Sequence, residues 1–170
     1  FQRIGDSAWQ AGDMRARGFL LGATAGRTTL NGEGLQHEDG QSQVQASFIP
    51  NVRSYDPTFA YEVVTIVQRG MQRMMAEQRD EYWYLTLMNE NYTHPDMPEG
   101  SAEGIIKGMY LLKDAGKGKK GELRVQLMGS GTILREVIAA ADLLDADFGI
   151  KADIWSCPSF NELARDGVDA

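Results

Sequence analysis

"FIPNVRSYDPTFAYEVVTIVQRGMQRMMAEQRDEYWYLTLM", residues 48–88, decides how this chain folds. Its closing "EYWYLTLM" puts aromatic and β-favouring side chains into the length of one strand. Its opening "FIPNVRSYD" reads as another strand. Between them Phe59, Val63, Ile66, Val67 and Met74 return at helical spacing and keep one face apolar to about Gln78. Asp56 followed by Pro57 predicts the helix start, because Asp can accept from the free N–H groups of a first turn and Pro already holds a helical φ. Strand, helix and strand in succession form a βαβ unit, which places the two strands in parallel.

The same alternation extends to both sides. Upstream, Phe1, Ile4, Ala8 and Ala11 predict a helix over residues 1 to about 16, followed by a short buried strand in "GFLLGAT", residues 18–24. Glycine-rich polar sequence then runs from residue 25 to residue 43, a long loop by ordinary length priors. Downstream, "NENYTHPDMPEGSAEG" has the Pro- and Gly-bearing composition of a linker. Beyond it come a strand at residues 108–114, a basic turn "AGKGKKGE", and a strand at residues 123–129. A helix over residues 132–148 follows, with Ile133, Val137, Ala141 and Leu144 inward, then a strand at residues 151–157. The expected class is α/β, with mostly parallel sheets in two partial domains joined by a linker: residues 1–93, 94–106 and 107–170. The second half offers one long helix for about three strands, so covering both faces of its sheet calls for another chain or further sequence.

Composition removes several functions. Hydrophobic residues make up 42% and charged residues 24%, the balance of a folded globular chain. A formal charge of -7 argues against non-specific binding to nucleic acid or to an anionic membrane, and no apolar run reaches the roughly 20 residues of a membrane span. Cys157 is the one cysteine, so no disulfide framework is expected, and a reducing, cytoplasmic setting is the natural reading. With no initiating Met, and with "ARDGVDA" ending inside a βα pattern, the sequence reads as a piece of a longer protein.

Most local motifs read as structure. "GSGTIL", residues 129–134, has Leu134 where a dinucleotide-binding turn needs its third glycine, and so predicts a tight βα turn with Thr132 near the N-cap. "GKGKKG" lacks the Ser or Thr of a phosphate loop and reads as a solvated hairpin turn. His94, before Pro95, has no charged constellation around it. Cys157 reads as a small buried hydrophobe, and "GMQRMM" as helix core. With two histidines and no metal-ligand spacing, no metal site is expected.

"NGEGLQHEDG", residues 31–40, is different. It sets His37 among Glu33, Glu38 and Asp39 within a frame of glycines. Nearby carboxylates favour a protonated imidazole, which can bind a substrate carboxylate or give a proton to a developing alkoxide. Glycines let backbone approach a ligand closely. An acidic solvated loop is the competing reading.

"GFLLGATAGRTTLNGEGLQHEDG", "SYDPTFAYEV", "YLTLMNENY", "MPEG", "LMGSGTILREV" and "SFNELARDG" together closely resemble the homodimeric pyruvate dehydrogenase E1 family, which is transketolase-like and uses thiamine diphosphate. The resemblance covers essentially the whole chain, although subunits of that family are several times longer. It implies that residues 1–93 are the later part of the central pyrimidine-binding domain and that residues 107–170 open the C-terminal domain. It implies oxidative decarboxylation of pyruvate, with the acetyl group passed to a lipoyl-bearing E2 acyltransferase, in a homodimer with a second E1 subunit. His37 resembles the family's active-site histidine, Glu33 an acidic residue of the same centre, and Asp39 the acid of its "EDG". The diphosphate- and Mg2+-binding motif and the cofactor-activating glutamate are not in this chain, so the piece alone is expected to be inactive and to hold no cofactor tightly. Family members usually read "HEDGHSH" where this chain reads "HEDGQSQ"; Gln41 and Gln43 cannot shuttle protons, which leaves another 2-oxo acid, such as 2-oxobutyrate, as an alternative substrate. A non-catalytic assembly or dimerisation module is the alternative from another class.

Overall fold

The computed structural model describes residues 2–22, 40–88, 91–118 and 121–170. A short 3-10 turn, Gln2–Ile4, leads into α1 (Gly5–Asp13), and β1 (Phe19–Gly22) follows. After residue 40 come α2 (Ser42–Ala46), β2 (Val52–Tyr55), α3 (Ala60–Met71) continued by a π-helical turn Gln72–Ala76, and β3 (Tyr82–Thr86). The second half holds α4 (Ala102–Lys107), β4 (Tyr110–Lys113), β5 (Arg124–Gly129), α5 (Ile133–Phe148), β6 (Lys151–Ser156) and α6 (Phe160–Asp169).

The first sheet runs β1-β3-β2 with every pair parallel. Side chains alternate between its faces, so Trp83 and Leu85 point to one side and Tyr82 and Tyr84 to the other. Trp83 and Leu85 join Tyr55, Ile66 and Met74 in the core beneath α3, which continues through Ile105 of α4 and Tyr110 of β4. Tyr82 and Tyr84 pack with Ala8 of α1, Ala46 of α2, Ile49 and Val52. Both faces are therefore covered, as a parallel sheet requires.

The second sheet has order β4-β6-β5, with β5 parallel and β4 antiparallel to β6. Its α5 face buries Leu134, Ala141 and Ile154 beside Leu127 and Val137, together with Phe59 from the first half. On the opposite face Leu111 and Met128 both register with Trp155, and Met128 is 58% exposed. That is the one-sided cover expected from the helix count.

Several expectations need correction. The long loop through residue 43 gives way at Ser42 to α2, and the linker composition contains α4; both helices are too short to show a period. β4 and β5 do not form a hairpin, because β6 lies between them. Leu134, not Ile133, is the buried residue in the first turn of α5. Of the clustered methionines, Met74 is core while Met71 and Met75 are exposed. Asp56 does not cap α3. Glu62, three residues beyond Phe59, accepts from the N–H groups of Thr58 (2.5 Å) and Phe59 (3.0 Å), and His94 Nδ1 accepts from the N–H of Ala60 at 3.1 Å. His94 is thus structural, as read from sequence, and Cys157 is buried.

Candidate active-site cleft

Open α/β sheets bind ligands beyond the carboxyl ends of their parallel strands. Here the ends of β2 and β5 meet at a cleft of about 390 Å3 lined by Gly40, Gln43, Asp56, Met128, Ser130, Ile133, Phe160 and Asn161, among others. β2 leads into Asp56, β5 into Ser130, and the α6 N-terminus delivers Ser159 and Asn161; Thr86, at the end of β3, is buried and does not line the cleft.

Asp56 is where the two halves meet. Its N–H donates to the Pro158 carbonyl at 2.6 Å, and its own carbonyl accepts from the N–H of Gly131 at 3.0 Å. Its carboxylate accepts from Thr86 Oγ1 at 2.5 Å and Ser130 Oγ at 3.1 Å. Thr58 Oγ1 donates to the Gly131 carbonyl at 2.6 Å. Gly131 has φ +55°, and a Cβ there would fall 2.6 Å from the Asp56 carboxylate, so glycine is required for the βα turn to sit this close.

Gln43 also lines the cleft. Its Nε2 donates to the Tyr55 carbonyl at 2.9 Å and to Thr86 Oγ1 at 3.2 Å. Asn161 Nδ2 donates to the Gln43 carbonyl at 2.8 Å and to Ser54 Oγ at 2.6 Å. Gln41 is exposed and immediately precedes α2. His37, Glu33 and Asp39 lie outside the described residues; Gly40, which directly follows them in sequence, lines the cleft.

A second cluster joins the halves through charge. Arg73 binds Glu81 through two nitrogens (2.6 and 2.8 Å), Arg53 reaches Glu81 at 3.3 Å and Glu162 of α6 at 2.5 Å, and Arg165 pairs with Glu162. Burial pushes the Glu81 carboxyl up, but the bonds and attraction of Arg73, with help from Arg53, outweigh it and hold the group below the usual carboxylate range. Burial likewise opposes the charge on Arg53, and Glu162 more than compensates. Burial, then the neighbouring Glu62, raises the Cys157 thiol, which is the wrong direction for a nucleophile. Burial pushes the Tyr61 hydroxyl up to about 12.

Sequence reasoning named Gln43 but missed Asp56, Ser130 and Asn161 as cleft residues. The available signal was an acid placed directly after a strand and a GSG turn after another. The described residues contain no group of three or more His, Cys, Asp or Glu suited to a metal. The cleft floor, a carboxylate with neutral amides and hydroxyls, does not suit a diphosphate.

Fold and cleft define a class. Solved transketolases superpose on nearly all of the chain: one from Pichia stipitis with TM-score 0.68 and 17% identity, covering 96% of this chain and 22% of that one, and one from Campylobacter jejuni with TM-score 0.65 and 19% identity, covering 96% and 24%. The architecture is transketolase-like α/β. More specifically, residues 1–95 match the family described as pyruvate dehydrogenase E1 component middle domain, and the chain belongs to it. Residues 108–169 match the transketolase-like C-terminal domain family. The pyruvate dehydrogenase E1 component of Pseudomonas aeruginosa is 65% identical over 99% of this chain, and that of Escherichia coli K12 is 58% identical over 99%. The chain spans 19% of the length of each. No helix among the described residues is long and apolar enough to cross a membrane.

Proposed function

We propose that this chain is part of the E1 component of a pyruvate dehydrogenase complex, in which it contributes one wall of the active site. The carrying observation is the 65% identity to a pyruvate dehydrogenase E1 component along 99% of the chain. The cleft at the strand ends, entered by the sequence that follows His37, supports it. In this reading residues 1–93 and 107–170 are portions of two domains joined by residues 94–106, and a second E1 subunit completes a homodimer. Thiamine diphosphate with Mg2+, held by parts of the enzyme outside this chain, supplies the electron sink for decarboxylation.

The chain's own residues orient the 2-oxo acid and manage its charge. His37 is the candidate donor to the substrate oxygen that gains negative charge, or the partner of its carboxylate, a role that Glu33 and Asp39, its neighbours in sequence, would favour. The acyl group leaves to a lipoyl-bearing E2 acyltransferase. Carboxyl-labelled pyruvate tests this: the full-length enzyme releases labelled CO2 with thiamine diphosphate and Mg2+, and the 170-residue chain alone releases none. In the full-length enzyme His37→Ala lowers kcat far more than it weakens cofactor binding. Unchanged turnover would remove His37 from the site, and faster turnover of 2-oxobutyrate than of pyruvate would change the substrate.

A further inference from the structure

We propose that Gln43 is a positioning residue for this reaction, an amide clamp that fixes the start of α2 against the ends of β2 and β3 and so sets the shape of the cleft. The proposal rests on the functional reading above and adds a role that reading does not contain.

The direction of the hydrogen bonds carries the inference. An amide nitrogen can only donate, and Gln43 Nε2 has two acceptors in reach, the Tyr55 carbonyl and Thr86 Oγ1. Thr86 therefore accepts from Gln43, and its single proton is free to point elsewhere. Asp56 Oδ1 at 2.5 Å takes it in preference to the Tyr55 carbonyl at 3.3 Å, since bonds to an ionised acceptor are shorter and stronger. The chain runs one way: amide to hydroxyl to carboxylate, with Ser130 of the second half donating to the other carboxylate oxygen at 3.1 Å. From the other side Asn161 of α6 holds the Gln43 carbonyl. One residue, three positions beyond Gly40, is thus tied to both strands of the βαβ unit and to the second half of the molecule.

Glutamate has the shape of glutamine without its donors. In Gln43→Glu the carboxylate would face the Tyr55 carbonyl, with Asp56 one hydrogen bond further on. Among the described residues Asp56 is the charged group on this cleft; β5 and α6 present Ser130, Ser159 and Asn161, all neutral. A like charge and a facing carbonyl raise the pKa of the new carboxyl, and once protonated it regains one donor.

The test is steady-state kinetics of the full-length enzyme with pyruvate, from about pH 6 to about pH 8, a range that starts above the ordinary Glu value. Gln43→Ala is expected to lower kcat roughly tenfold or more while KM changes less than about threefold, the pattern of lost alignment rather than lost binding. Relative to the parent, Gln43→Glu is expected to be weakest at the alkaline end and to recover as pH falls. A purely structural defect would be the same at every pH. Asn161→Ala, which releases the clamp from α6, is expected to lower kcat in the same sense and serves if either Gln43 variant fails to fold. Gln43→Ala turnover within about twofold of the parent, or a pH-independent loss in Gln43→Glu, overturns the proposal. His37→Ala measured alongside separates the two levels. If it is inactive while Gln43→Ala is normal, the clamp alone fails; if it is fully active, the role of His37 fails; and if the parent itself does not turn over pyruvate, the functional reading fails first.

Discussion

Glu62 is a fully buried carboxylate whose oxygens receive four donors: the N–H groups of Thr58 and Phe59 on one, Tyr110 OH (2.7 Å) and Ser156 Oγ (2.6 Å) on the other. It caps α3 and reaches two strands of the second sheet. Replacement by glutamine keeps the shape but turns one oxygen into an NH2 group; even with that group turned to the Tyr110 and Ser156 hydroxyls, which can accept from it, both hydroxyl protons lose their acceptor. Each donor left without an acceptor costs on the order of 1–3 kcal/mol, so Glu62→Gln is expected to destabilise the chain by about 2–4 kcal/mol, read as a lower urea midpoint at constant slope. A loss below about 0.5 kcal/mol, the level of an ordinary surface substitution, would count against the network. The sequence held a sign of this role, an acid three residues after the N-cap. The more conspicuous Asp56 before Pro57 drew the reading instead. Its carboxylate turned out to face the cleft, because Glu62 already occupies the end of α3 and the turn at Gly131 lies against Asp56. A residue's partners depend on chain far away in sequence, and no local pattern contains them.

At the level of elements, the strands and long helices were legible because their signal is local: aromatic and β-branched runs in β2 and β3, and an apolar stripe in α3 and α5. The short helices α2 and α4 were not, since five or six residues do not complete a period. Their stability comes from what they touch. α4 ends at Gly108 with φ +103°, and a Cβ there would come within 2.0 Å of the Ser159 carbonyl at the start of α6. Gly108→Ala is therefore expected to push α4 and α6 apart and to cost more than about 3 kcal/mol, combining backbone strain with overpacking. Soluble expression and a thermal melt report it; a Tm within a few degrees of the parent would mean the α4–α6 contact yields easily. Ser159 carries a smaller load. Its Oγ accepts from the N–H of Glu162 at 3.0 Å and donates to the Ser54 carbonyl at 2.6 Å. Ser159→Ala is expected to cost about 1–2 kcal/mol, the range of a lost N-cap. "SFNE" is a capping-box pattern, so this helix start could have been read from sequence. The order of β6 between β4 and β5 could not, because strand pairing is non-local.

Across the whole molecule, charge and packing join the same two sheets. Phe59 of the first half lies in the core of the second, Tyr110 of the second lies in the core of the first, and the chain Arg73–Glu81–Arg53–Glu162–Arg165 runs from the π-helical turn after α3, through β2, to α6. Stability should therefore follow the protonation of Glu81. Its folded pKa lies below the ordinary value of about 4.3, so as pH falls the unfolded chain takes up the proton first. The stabilisation is fully present above that ordinary value and is lost as pH falls through the folded one. The side chain is 7% exposed, so solvent screens the pair little. Glu81→Gln is expected to lower stability at about pH 7 by roughly 3 kcal/mol, because Arg73 and Arg53 lose a buried partner. The variant's stability should then fall less steeply than the parent's as pH drops below about 4.3, since the titrating group is gone. Urea midpoints measured from neutral to acidic pH check both parts. Parallel acid limbs in parent and variant would assign the acid loss to other carboxylates and leave the network a role in geometry alone. Convergence of the two curves at low pH would assign that part of the acid loss to the proton taken up by Glu81, the residue just before β3.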